Sequence, residues 1–143
     1  MNKKKGIATG DIVLIPLGSD IYNVSKVIYL SSHFKNGMAL GVYNIFIRDD
    51  SNISELNMEY SAVLYTSTEG ITDNHWRIVD NSPVTNSDLI LTKRIVAGDV
   101  WQGDEKIGKA TPDDYKNLPK QLALGIKLVE KKIVELYNNS DAN

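Results

Sequence analysis

The chain has 143 residues, of which 42% are hydrophobic, 24% charged and 8% aromatic, with a formal net charge of −2; this composition excludes disorder, collagen and coiled coil and suits one globular domain. Cysteine is absent, which removes disulfides, thiolate zinc sites, iron–sulfur clusters and cysteine nucleophiles, and fits a reducing compartment. Met1-Asn2-Lys3-Lys4-Lys5 has the charge of a signal n-region, but no apolar stretch of signal length follows before Gly10-Asp11,. No apolar run approaches the ~20 residues that span a bilayer, so a soluble cytoplasmic protein is expected.

Strand signals fill the first two thirds. Asp11-Ile12-Val13-Leu14-Ile15-Pro16-Leu17 is a nearly continuous apolar run closed by Pro16 and Gly18, the pattern of a strand buried on both faces. Ile21 to Leu30 is rich in β-branched and aromatic residues, and Gly18-Ser19-Asp20 makes the pair a hairpin,. Asn36-Gly37 leads into Met38 to Arg48. There Ala39, Gly41, Tyr43, Ile45 and Ile47 share one parity and Leu40, Val42, Asn44, Phe46 and Arg48 the other, so both faces are expected to be partly covered,. Residues 49 to 61 read as a long polar, acidic loop. Ala62 to Thr66 and His75 to Val79 read as strands joined by Glu69-Gly70 and Asp73-Asn74 turns, and Asn81-Ser82-Pro83 stops the second,. Asp88 to Val96 reads as a further β-branched strand, and Gly98 and Gly103-Asp104 bracket a small hairpin around Trp101 and Ile107,.

The period changes near residue 111. Thr111-Pro112-Asp113-Asp114 is an N-cap with proline in the first turn and acids on the positive end of the helix dipole,; this helix should stop near Leu118-Pro119. From Pro119 onward, Leu122, Ile126, Val129, Ile133 and Leu136 recur at helical spacing and predict an amphipathic helix with Gly125 as a weak point,. The organisation expected is a single domain over 1–143, strand-rich over 10–110, helical over 111–138 and frayed over 139–143. Its fold class is α+β, a curved and mainly antiparallel sheet or small barrel of about six or seven strands with the C-terminal helix packed on it.

Patterns that carry chemistry are incomplete. Gly103 to Lys109 has the spacing of a phosphate-binding loop, but Ala110 stands where a hydroxyl must hold magnesium and Asp104-Glu105 would face the phosphates,; a charged hairpin turn explains it better. His33 and His75 are the only histidines and have no metal-ligand spacing, and no Gly-x-Ser-x-Gly occurs,. Asp49 and Asp50 are adjacent, so on a strand they face opposite ways and form no acid/base pair. Neither a catalytic set, a metal site nor a cofactor is expected. Tyr22, Tyr29, Tyr43, Phe46, Tyr60, Tyr65 and Trp76 sit in or beside strands, but between Tyr22 and Trp76 the bases are only Lys26, Lys35 and Arg48, too few cations for a base-stacking platform, and core packing explains them.

Charge is concentrated in the middle of the chain: from Arg48 to Asp73 there is one base against six acids. Such a segment repels a phosphate backbone and suits a basic protein partner. A solvated surface loop is the plainer account of charge alone.

Gly10-Asp11-Ile12-Val13-Leu14-Ile15-Pro16-Leu17 with the Tyr22 to Leu30 strand resembles the start of the immunity protein 26 family of bacterial polymorphic-toxin systems. His75-Trp76-Arg77-Ile78-Val79-Asp80-Asn81-Ser82-Pro83-Val84 is similar to that family's Trp-containing strand and following Pro turn. The resemblance covers roughly the first 85 to 95 residues. It implies a non-enzymatic cytoplasmic protein that neutralises a toxin, such as a basic nuclease; the short apolar runs and the acidic charge, separately, lead to an expectation of no membrane and no nucleic-acid partner. By analogy and charge, Asp49, Asp50, Glu55, Glu59 and Asp73 are the expected toxin-binding residues, and Gly10, Asp11, Pro16, Trp76 and Pro83 are expected to be structural. The Gly-Asp-Ile-Val opening is also similar to that of small-barrel ribonuclease toxins, which usually carry an Arg-Pro-rich strand next; Tyr22 to Leu30 has neither residue.

Overall fold

The structure is a computed structural model that describes residues 6–18, 20–31, 37–48 and 59–141. Its elements, in chain order, are β1 (Asp11–Pro16), β2 (Tyr22–Leu30), β3 (Gly37–Ile47), β4 (Tyr60–Ser67), α1 (Glu69–Thr72), β5 (Arg77–Asn81), α2 (Asn86–Ile90), β6 (Lys93–Val96), β7 (Asp99–Gln102), β8 (Glu105–Lys109), α3 (Pro112–Asn117), β9 (Ala123–Leu124) and α4 (Ile126–Asp141).

The apolar opening run forms β1 and pairs antiparallel with β2, and β2 with β3, β3 with β4. With β5 beside β1 and β9 beside β4, these strands make a six-stranded sheet in the order β5-β1-β2-β3-β4-β9. The sheet does not close, so the small-barrel alternative is corrected: β5 and β9 are its two edges rather than neighbours. The parity read along β3 matches the packing, because successive side chains of a strand point to opposite faces. Met38, Leu40 and Val42 join Val13, Ile15, Val27, Trp76, Val129 and Ile133 in the core under α1 and α4. Ala39, Tyr43 and Ile45 enter two smaller clusters on the opposite face.

That second face is covered by α2 and a separate three-stranded sheet, β6-β7-β8. The Ala97-Gly98 turn, both residues at positive φ, reverses the chain between β6 and β7,. Gly103, at φ +60, opens the β7–β8 turn, so the loop with phosphate-binding spacing is a hairpin.

Three elements depart from the sequence expectations. Asp88 to Val96 is not one strand: Thr85 accepts from the Asp88 N–H while the Asp88 carboxylate accepts from the Thr85 N–H, and this capping box starts α2,, leaving only Lys93–Val96 extended. The Glu69-Gly70 turn is the helix α1, after which the His75 and Trp76 N–H groups both donate to Gly70 O, so β5 begins at Arg77.

The long helix begins at Ile126, not near Pro119. Ile95 N–H donates to Pro119 O and Gln121 N–H to Ile95 O, while Ala123–Leu124 pairs parallel to β4. Residues 119–124 are thus a strap whose backbone is satisfied by both sheets, which removes the need for intrahelical bonds. Leu122, placed by period on the helix face, is 66% exposed, whereas Val129 and Ile133 are fully buried. The Thr111 cap and α3 agree with the sequence reading, ending at Asn117 before Leu118. At the other end, α4 runs to Asp141, into the stretch expected to fray.

Candidate functional site

The face of the main sheet beneath α2 holds a buried ion pair. Lys26 is an inward residue of β2 and only 3% exposed. Its Nζ donates to Asp88 Oδ2 at 2.9 Å and to the Pro83 carbonyl at 2.9 Å. Asp88 also accepts from the Tyr60 hydroxyl at 2.8 Å and from the Thr85 N–H at 3.1 Å. The Tyr43 hydroxyl donates to Tyr60 Oη at 3.3 Å, and the two rings stack with centroids 4.5 Å apart. Gly41 makes room for this: a Cβ there would run into the Tyr60 ring.

Burial alone would raise the Asp88 pKa, but hydrogen bonds from Lys26, the Thr85 N–H and Tyr60 outweigh it and hold the carboxyl below its ordinary value,. The Tyr60 hydroxyl is pushed strongly up by burial, with Tyr43 and Asp88 adding to the effect. Asp88 stays ionised opposite Lys26 and Tyr60 stays protonated. The cluster therefore fixes α2 to the sheet instead of supplying a base or nucleophile. Above it, Leu89, Ile90 and Leu91 are exposed at 37%, 58% and 41%.

A second buried cluster fastens the small sheet. Arg94 of β6 is fully buried; its Nη1 donates to the carbonyls of Thr92 and Gly103, its Nε donates to Gln121 Oε1 at 2.8 Å, and its guanidinium lies 5.1 Å and 5.3 Å from the Tyr29 and Tyr65 ring centroids. The Tyr29 hydroxyl and Ser31 Oγ both donate to Asp104 Oδ1 in the β7–β8 turn. Burial and then the Asp104 hydrogen bond raise the Tyr29 pKa, and burial pushes Tyr65 up to about 12. The Tyr65 hydroxyl is buried with no hydrogen-bond partner.

Of the expected partner-binding residues, Asp49, Asp50 and Glu55 lie outside the described residues, as do His33, Lys3, Lys4, Lys5 and most of the acidic loop. Glu59 and Asp73 are exposed. They sit beyond opposite ends of β4, whose eight residues extend for roughly 25 Å,, so these two do not form one cluster.

Gly10, at φ +92, packs its α-carbon against the Ser82 carbonyl. Asp11 is buried, accepting from the Ala8 N–H and the Asn81 side-chain amide. Pro16 ends β1. Trp76 is buried beneath Gly70 and donates to Glu130 of α4 at 3.0 Å, while Pro83 contributes its carbonyl to Lys26.

His75 is exposed, and no group of three metal-ligating acids or histidines occurs among the described residues. No helix among them is long and apolar enough to cross a membrane. Sequence reading missed Lys26, Asp88, Tyr60 and Arg94. The available signals were a lysine inside the apolar run Val24-Ser25-Lys26-Val27-Ile28 and the Thr85-x-x-Asp88 cap spacing,.

No curated protein and no solved structure matches the chain. The family model described as Immunity protein 26 matches residues 8–106, more than two thirds of the chain. That span contains the first seven strands, α2, both buried clusters except Gln121, and the two segments that carried the resemblance. The chain belongs to the Immunity protein 26 family.

Proposed function

We propose that this single-domain chain is a non-enzymatic immunity protein that works in the bacterial cytoplasm, where it binds a polymorphic toxin and blocks it. The family match over residues 8–106 carries this reading. The chemistry of the buried clusters agrees with it, since Lys26 is neutralised by Asp88, and Arg94 is held by carbonyls, Gln121 and aromatic rings. These groups hold the outer elements in place and leave the surface to recognise a partner. The acidic residues Asp49, Asp50, Glu55, Glu59 and Asp73 suit a basic toxin such as a nuclease.

Expressing the chain alone, and together with the toxic domain encoded beside its gene, tests the proposal. The expected result is normal growth in the first case and rescue from the toxin in the second, with a complex of the two purified proteins on size exclusion. Growth arrest by the chain alone would overturn it in favour of a ribonuclease toxin.

A further inference from the structure

The surface above the Lys26–Asp88 pair combines three features of a docking centre. Leu89, Ile90 and Leu91 are consecutive, large, apolar and exposed. They are also held in place from below: Asp88, next to Leu89, is fixed by Lys26, Tyr60 and the Thr85 cap, and Thr92, next to Leu91, donates to the Leu89 carbonyl and accepts from the Gly103 N–H. A preordered apolar ridge loses little entropy on binding, which is what an anchoring contact requires.

The third feature is charge. On one flank, a Cβ on Gly103 would touch Leu89 Cδ1 at 3.6 Å, so the exposed Asp104 and Glu105 of the next turn border the ridge. Lys93 is the nearby base in sequence, and Lys106 is paired with Asp99 at 3.3 Å. An apolar centre with an acidic margin complements a partner whose apolar pocket is rimmed by lysine or arginine.

We infer that Leu89, Ile90 and Leu91 form the apolar anchor of the toxin-binding surface and that they seat in a basic-rimmed pocket of the toxin. This deepens the proposed function and rests on it.

The test measures binding of the purified full chain to the toxic domain from the rescue experiment, carrying a substitution that silences its activity. Ile90→Ser is expected to raise Kd about tenfold or more. Ile90→Lys should raise it further than Ile90→Glu, through a slower association at low salt. Leu128→Ser, an exposed leucine on α4, should stay within about threefold of wild type, and unchanged thermal melts should show that all four variants fold.

Wild-type binding with Ile90→Ser also within about threefold would overturn the anchor and leave the immunity reading standing. Equal association rates for Ile90→Lys and Ile90→Glu would overturn the basic-rimmed pocket. No binding by the wild-type chain would overturn the immunity reading itself. Self-association of the free chain that disappears with Ile90→Ser would assign the ridge to a second copy instead.

Discussion

Lys26 shows how one residue's energetics depend on its surroundings. An ammonium inside an apolar strand is costly unless paired, and here Asp88 and the Pro83 carbonyl satisfy it,. Asp88→Asn keeps the shape but leaves the Lys26 charge without its counter-ion, so it should cost about 3–5 kcal/mol in urea unfolding. The same carboxylate sets a pH limit. Its folded pKa lies below the ordinary 3.8, so the stabilisation is present above that value and is lost as pH falls through the folded one. Acid unfolding of wild type should show this limb, and Asp88→Asn should lack it. Tyr65 behaves in the opposite sense: its buried hydroxyl lacks a partner, so Tyr65→Phe should leave stability unchanged or raise it by about 1 kcal/mol in thermal melts. The sequence shows a lysine among apolar neighbours, but the identity of its partner depends on a residue 62 positions away.

Elements tell a related story. Period alone put Leu122 on the apolar face with Val129 and Ile133, yet residues 119–124 bridge two sheets and Leu122 points to solvent. Leu122→Ser is therefore expected to change stability by no more than about 0.5 kcal/mol, against about 2–5 kcal/mol for Ile133→Ala. Comparing the two urea midpoints separates the strap from a continuous helix. At α1, Gly70 lies against the Trp76 ring so closely that a Cβ cannot fit. Gly70→Ala should cost about 1–3 kcal/mol, and a changed tryptophan emission should report the displaced ring. Helix α3 and strands β1 to β3 were legible because their signals are local: caps, turns and alternation. Strand β6 and α2 were not, because the β-branched residues after Asp88 favour a strand while the Thr85 cap favours a helix,. The contact with Lys26 sides with the cap.

Across the whole molecule, the small sheet is attached to the main one by Arg94, by Asp104 and by the 119–124 strap. This attachment brings α2 and the β7–β8 turn to one side and creates the acidic-edged ridge. If the mid-chain acids steer a basic toxin, Asp49→Lys, Asp50→Lys, Glu55→Lys and Glu59→Lys combined should slow association at least tenfold at low salt while leaving the melting temperature nearly unchanged. Stopped-flow rates over a salt series check this, and the gap should close as salt rises.

By itself the sequence determined the α+β class, the β1–β2 hairpin in a mainly antiparallel sheet, the two-faced packing of β3 and the family resemblance, because alternation, turns and caps act over a few residues. It also showed the acidic excess between Arg48 and Asp73. Only the tertiary structure decided that the sheet stays open, that residues 119–124 are a strap, and that Lys26 is buried against Asp88. It alone lifted Leu89, Ile90 and Leu91 into solvent as a fixed ridge. Each of these depends on hydrogen bonds and burial between residues distant in the chain, where a polar group must find a partner or remain in water, and local pattern carries no record of which partner it finds.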